Sequence, residues 1–143
     1  MFITVATRRA EDNELQMLTF VHVYQTCNQD RCAVLSLSIM KDVIAKLKSQ
    51  LPQLKTVFYG QHNTGCYQCG ATIVGASFTG CSSGVTVKRL DFSDAQSGKA
   101  PCDRKAASIK SHMKIHLNQG SNIETAKEMV DASYPVIGRC SWG

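Results

Sequence analysis

Residues 28–52 read NQDRCAVLSLSIMKDVIAKLKSQLP. Ala33, Leu37, Met40, Ile44, Leu47 and Leu51 recur at steps of four and three, which lays one apolar stripe along a helix. Lys41, Lys46 and Lys48 fall off that stripe, on the side water would reach. Asn28 or Asp30 can cap the start, because a short polar side chain accepts from the free amides of the first turn. Pro52 stops the helix near Leu51, since proline lacks the amide donor and clashes with the turn before it. Upstream, residues 2–7 mix apolar residues with threonine and read as a strand, residues 10–14 as a polar turn, and residues 16–25 as a second strand. In the second strand Leu18, Phe20, His22 and Tyr24 share one face and Thr19, Val21 and Val23 the other, so the pair is expected to be an antiparallel hairpin.

Downstream, residues 55–59 read as a short buried strand, residues 60–65 as a polar loop and residues 66–77 as a helix. Gly80 to Gly84 forms a turn, and residues 85–92 form a strand rich in β-branched side chains. A loop over 93–101 leads to a helix over 102–118, with Gly120 placed to end it. Ser121 and Glu124 have the S-x-x-E spacing of a capping box for a last helix to about Ala132, and residues 133–143, holding Pro135, Gly138 and Gly143, read as an irregular tail. A hairpin followed by alternating helices and strands implies an α/β protein with parallel pairs and helical cover. Its element order is that of a ribonuclease H-like sheet lacking the first strand, or of another small α/β sheet.

The chain has 143 residues, about one domain, and 43% hydrophobic residues, enough for a core. No apolar run is long enough to cross a membrane. Arg8 and Arg9 follow the apolar start instead of preceding it, which is unlike a secretory leader and points to an intracellular protein. The seven cysteines are odd in number and irregularly spaced, so reduced thiols or metal ligands are expected before disulfides. A net charge of +5 is compatible with nucleic-acid binding without demanding it.

Four stretches carry more specific information: FVHVYQTCNQD at 20–30, QHNTGCY at 61–67, DFSDAQSGK at 91–99 and CDRKAA at 102–107. In this order and spacing the chain resembles a group of uncharacterised animal proteins derived from transposons, whose core is similar to an integrase or transposase domain. The resemblance covers roughly residues 1–132 and is most specific between Asp91 and Lys110. It implies a ribonuclease H-like mixed sheet with helices on both faces, here N-terminally incomplete, and a nuclear location. It also implies an ancestral site in which three carboxylates hold two Mg2+ or Mn2+ ions for in-line phosphoryl transfer. Hard ions of this kind require oxygen ligands.

Carried over by position, the third carboxylate is Asp103. The second position is taken by His62, in Gln61-His62-Asn63, where the resemblance implies an aspartate. A neutral imidazole brings no negative charge and prefers softer metals. The first acid would lie upstream of residue 2, and no acid precedes Glu11. Charge neutralisation of two dications by Asp103 alone is implausible, so a catalytically inactive domain without bound Mg2+ or Mn2+ is expected. An active metal-dependent nuclease or strand-transfer enzyme is the alternative. Asp103, Ala107, Lys110 and Lys114 share a helical face beside a separate stripe of Ala106, Ile109, Met113 and Leu117. Arg104, Lys105, Lys110 and Lys114 are the expected contacts to nucleic acid, in weak, salt-sensitive binding. Asp91 and Asp94 are expected to cap the loop after their strand. An exposed sheet edge would favour self-association.

A zinc-binding interaction module is the third reading. Cys66-x-x-Cys69 has the spacing of a zinc knuckle and His112-x-x-x-His116 that of two ligands on one helical turn. The intervening 42 residues are too many for a two-Cys two-His finger, and both histidines are expected off the core stripe. No cysteine–histidine nucleophile signature and no phosphate-loop lysine is present. Trp142, the only tryptophan, sits near the C-terminal end, so no aromatic platform for single strands is evident.

Overall fold

The computed structural model describes residues 2–23, 32–62, 69–93 and 101–137. The chain is mixed α/β, with strands β1 (Phe2–Arg9), β2 (Leu15–His22), β3 (Thr56–His62) and β4 (Thr86–Ser93) and helices α1 (Cys32–Gln50), α2 (Gly70–Ala76), α3 (Pro101–Asn118) and α4 (Ala126–Ile137). Where one mixed sheet is expected, the strands form two two-stranded sheets: β1–β2 is antiparallel and β3–β4 parallel. Alternation dictates which way side chains face, but it does not dictate which strand lies next door. Two compact units result, one of residues 1–26 with 98–143 and one of residues 27–97.

In the first unit the hairpin turns over Ala10–Glu14, where the Ala10 amide donates to the Glu14 carbonyl at 2.9 Å and the Asn13 amide to the Ala10 carbonyl at 2.9 Å. Asn13 takes the left-handed conformation at φ 65°, which asparagine tolerates better than most residues with a Cβ. Asp12 Oδ1 accepts from the Glu14 amide, and a cross-strand bond from Arg8 Nε to Gln16 Oε1 at 2.7 Å ties the neighbouring pair. The register places Ala6 beside Leu18 and Thr4 beside Phe20. Leu18 and Phe20 are buried, as the alternation predicts. Helix α3 packs on β1, α4 packs on β2, and the two helices pack on each other. Ile109, Ala132 and Ser133 are their buried contributions.

The second unit is built on α1. Its buried side is Ser36, Ile39, Met40, Val43, Ile44 and Leu47, so the stripe is wider than the sequence spacing suggests and turned from Leu37 toward Ile39 and Val43. Gln61 Nε2 donates to the buried Ser36 hydroxyl at 3.0 Å, which is why a serine can sit there. Lys48 is not a free solvent residue: its ammonium donates to the carbonyls of Pro52 and Leu54, both at 2.7 Å, and so closes the turn after the helix. Helix α2 packs on α1 through its buried Thr72 and Ala76. It begins at Gly70, later than the expected residue 66, while β3 runs on through Gly60 to His62 where a loop is expected.

The last helix also departs from the reading. The box is Thr125-x-x-Glu128: the Glu128 amide donates to Thr125 Oγ1 at 3.3 Å, and the Thr125 and Glu124 amides donate to Glu128 Oε2, each at 2.9 Å. Those two amides, with the Thr125 hydroxyl behind them, hold the Glu128 carboxyl below its ordinary range. The helix then continues through Tyr134 and Pro135 to Ile137, a stretch read as tail.

Candidate nucleic-acid interface

Helix α3 opens on Pro101, whose ring pre-sets a helical φ and whose missing amide would have no partner there. Asp103 lies in its first turn, where the helix dipole favours a negative charge, and is half-buried. Gly120, at φ 86°, takes the left-handed conformation that ends the helix, with its amide on the Leu117 carbonyl at 3.0 Å.

The packing side of α3 is not the stripe expected. Cys102, Lys105, Ala106, Ile109, His112, Met113 and His116 are buried or half-buried, whereas Leu117 and Ile115 are exposed. His112 and His116 therefore lie on the packing side and Leu117 lies off it. Imidazoles are amphipathic and count as polar on a helical wheel, which is why the apolar pattern alone turned the face by part of a turn. His112 Nδ1 lies 3.3 Å from the Ser108 carbonyl.

The opposite side is basic. Arg104, Lys110 and Lys114 are exposed there, together with Ala107, Ser108, Ser111 and Asn118. From Arg104 to Asn118 the helix carries no acid at all. Lys105 is half-buried on the packing side and is not part of this surface. At a rise of about 1.5 Å per residue, the step from Arg104 to Lys114 spans roughly 15 Å, the reach of several phosphates along one strand.

The remaining site residues are placed as follows. His62 is the last residue of β3, in the second unit, paired with Ser93 of β4; its side chain lies outside the described residues. Cys66 and Asp94 also lie outside them. Cys69 precedes α2, its Sγ 3.2 Å from the Thr72 hydroxyl. That hydroxyl, with the Thr72 amide, lowers the Cys69 thiol below its ordinary value. Asp91 accepts from Arg89 Nε at 2.7 Å, and the loop it is expected to cap lies outside the described residues. Among the described residues, no three His, Cys, Asp or Glu side chains converge as a metal-ligand set. No described helix is long and apolar enough to cross a membrane.

No protein-family model matches the chain, and neither a curated protein nor a solved structure matches it.

One surface escaped the sequence reading. The strand at 55–59 was expected to be buried, yet β3 is open on one side, where Phe58 is 69% exposed and lies in register with Arg89 of β4. Its only sequence signal is Thr56 and Gly60 flanking Phe58 at every second residue of β3, and Arg89 and Asp91 so spaced in β4.

Proposed function

We propose that the chain is a transposase-derived domain of ribonuclease H-like ancestry that binds nucleic acid, without cutting it, through the solvent side of α3. The observation that carries this reading is the exposed side of α3 bearing Arg104, Lys110 and Lys114, on which the half-buried Asp103 of the first turn is the one acid and none follows from Arg104 to Asn118. A polyanion gains by releasing condensed counterions onto such a face, and sequence is not needed for that gain. Non-specific binding of this kind has a Kd of roughly 10⁻⁴ to 10⁻⁶ M at physiological salt. The absence of cutting rests on charge: His62 occupies the position where the resemblance implies an acid, and Asp103 is a single carboxylate. Two hard dications need more negative oxygen ligands than that.

Plasmid nicking in Mg2+ and in Mn2+ tests the inactive half of the proposal, with Asp103→Ala as control. The expected result is identical background for both proteins. Cleavage by the native chain that Asp103→Ala abolishes would establish an active nuclease and sink the proposal.

A further inference from the structure

Parallel pairs are normally covered on both faces. In the second unit, Thr56, Phe58 and Gly60 of β3 and Thr86, Arg89 and Asp91 of β4 are all exposed, while Val57, Tyr59, Val87 and Leu90 between them are half-buried. This face is open. The register shift between Val57 and Phe58 absorbs Lys88 as the extra residue, so that Phe58 pairs with Arg89 and Gly60 with Asp91 on the same side. Without that shift Arg89 would turn to the inner face. Lys88 is exposed as well. Above Gly60 the space is empty: a Cβ built there would meet nothing within 4 Å. The result is an exposed aromatic ring beside a bare stretch of backbone, edged by two cations. Asp91 opposes them and holds Arg89 Nε at 2.7 Å, but the two side chains remain 51% and 68% exposed and the terminal guanidinium nitrogens are left for another partner.

We propose that this face is a stacking platform for single-stranded nucleic acid, with an unpaired base lying on the Phe58 ring over Gly60 and the adjoining phosphates met by Lys88 and Arg89. Every base has a π-face, so a single ring on a flat sheet serves any sequence, and the cations supply the charge a backbone requires. A duplex keeps its bases stacked inside and cannot use the ring. The cations that edge the ring also suit a polyanion better than an apolar protein surface. The proposal depends on β3 and β4 alone, so its fate is separate from that of the α3 surface.

The test is fluorescence anisotropy of labelled oligothymidylate and oligouridylate of about twelve nucleotides, against a duplex of similar length. Phe58→Ala is expected to weaken both single strands about tenfold. Phe58→Leu is expected to do nearly the same, since leucine keeps apolar area and loses the π-face. Arg89→Gln is expected to reduce affinity and salt dependence together, and duplex binding is expected to be unaffected by either Phe58 variant. A difference between the two oligomers assigns the strand as DNA or RNA and supports the proposal either way. Single-strand affinity that stays within about twofold of native in both Phe58 variants would overturn it. So would full retention in Phe58→Leu alone, or a loss of self-association by light scattering in Phe58→Ala, which would make the face a protein interface.

Discussion

Gly80→Ala isolates a position where glycine is needed for space and not for backbone freedom. Gly80 has φ −90° and ψ −9°, a negative-φ conformation that does not require glycine. A Cβ there would overlap the Val85 carbonyl oxygen and stand 2.9 Å from the Val85 carbonyl carbon. The obstacle is backbone, so no rotamer change relieves it. Val85 is buried at 3% exposure, and its amide donates to the Gly80 carbonyl at 3.0 Å, closing the turn that leads into β4. Displacing it costs about 1–3 kcal/mol of overpacking. Weakening the closing bond adds roughly 0.5–1.5 kcal/mol. Against this, alanine recovers about 0.4–1 kcal/mol by restricting the unfolded chain. The net expectation is a loss of roughly 2–3 kcal/mol, which at a urea m-value of about 1–3 kcal/mol/M moves the midpoint by about 1 M or more. Urea unfolding followed by far-ultraviolet circular dichroism measures it. Gly75→Ala is the control, because its Cβ would meet only the tip of Leu37, 2.5 Å from Cδ1 and 3.1 Å from Cδ2, and alanine favours the helix by about 1 kcal/mol. A Gly80→Ala midpoint equal to that of Gly75→Ala would refute the reasoning.

Three further outcomes are expected. Thr125→Ala removes the hydroxyl that caps α4 and should cost about 1 kcal/mol, read by the same unfolding curve. Glu128, whose carboxyl is depressed in the folded chain, contributes stability that is present above its unfolded value and lost as pH falls through its folded one. An acid titration of helical content should therefore show a step below the ordinary glutamate range that Glu128→Gln removes, and an unchanged titration would contradict the cap. Thr72→Val deletes the hydroxyl that stabilises the Cys69 thiolate, so alkylation of the Cys69 peptide, followed by mass spectrometry at mildly alkaline pH, should slow, whereas an equal rate would place the cause elsewhere.

How much of this was visible in the sequence depends on what each signal measures. The end of α1 was legible because Pro52 is a steric stop, and the hairpin because alternation in Leu18 and Phe20 reports a buried face directly. The buried side of α3 was not, because His112, His116 and Lys105 pack through their apolar parts and a binary pattern scores them as polar. The cap of α4 was read at Ser121 and Glu124, whereas Thr125 and Glu128, four residues on, make the capping bonds. Continuation through Pro135 had no sequence signal, because proline beyond the first turn of a helix removes an i→i−4 bond and ordinarily ends it. The open face of β3–β4 required pairing, which no single strand encodes, and a one-residue shift that brings Arg89 to Phe58. Of the proposed site, helical spacing placed Lys110 and Lys114 on the face of Asp103, while the metal role of Asp103 came from resemblance.

The salt dependence of duplex binding tests the central claim most directly. Each phosphate contact contributes about −0.9 to the slope of log affinity against log salt. The native chain compared with Arg104→Gln/Lys110→Gln/Lys114→Gln should therefore differ by roughly 2.7 in slope between about 50 and 200 mM salt, with the variant the shallower. Equal slopes, with both proteins folded, would mean that α3 does not carry the interface.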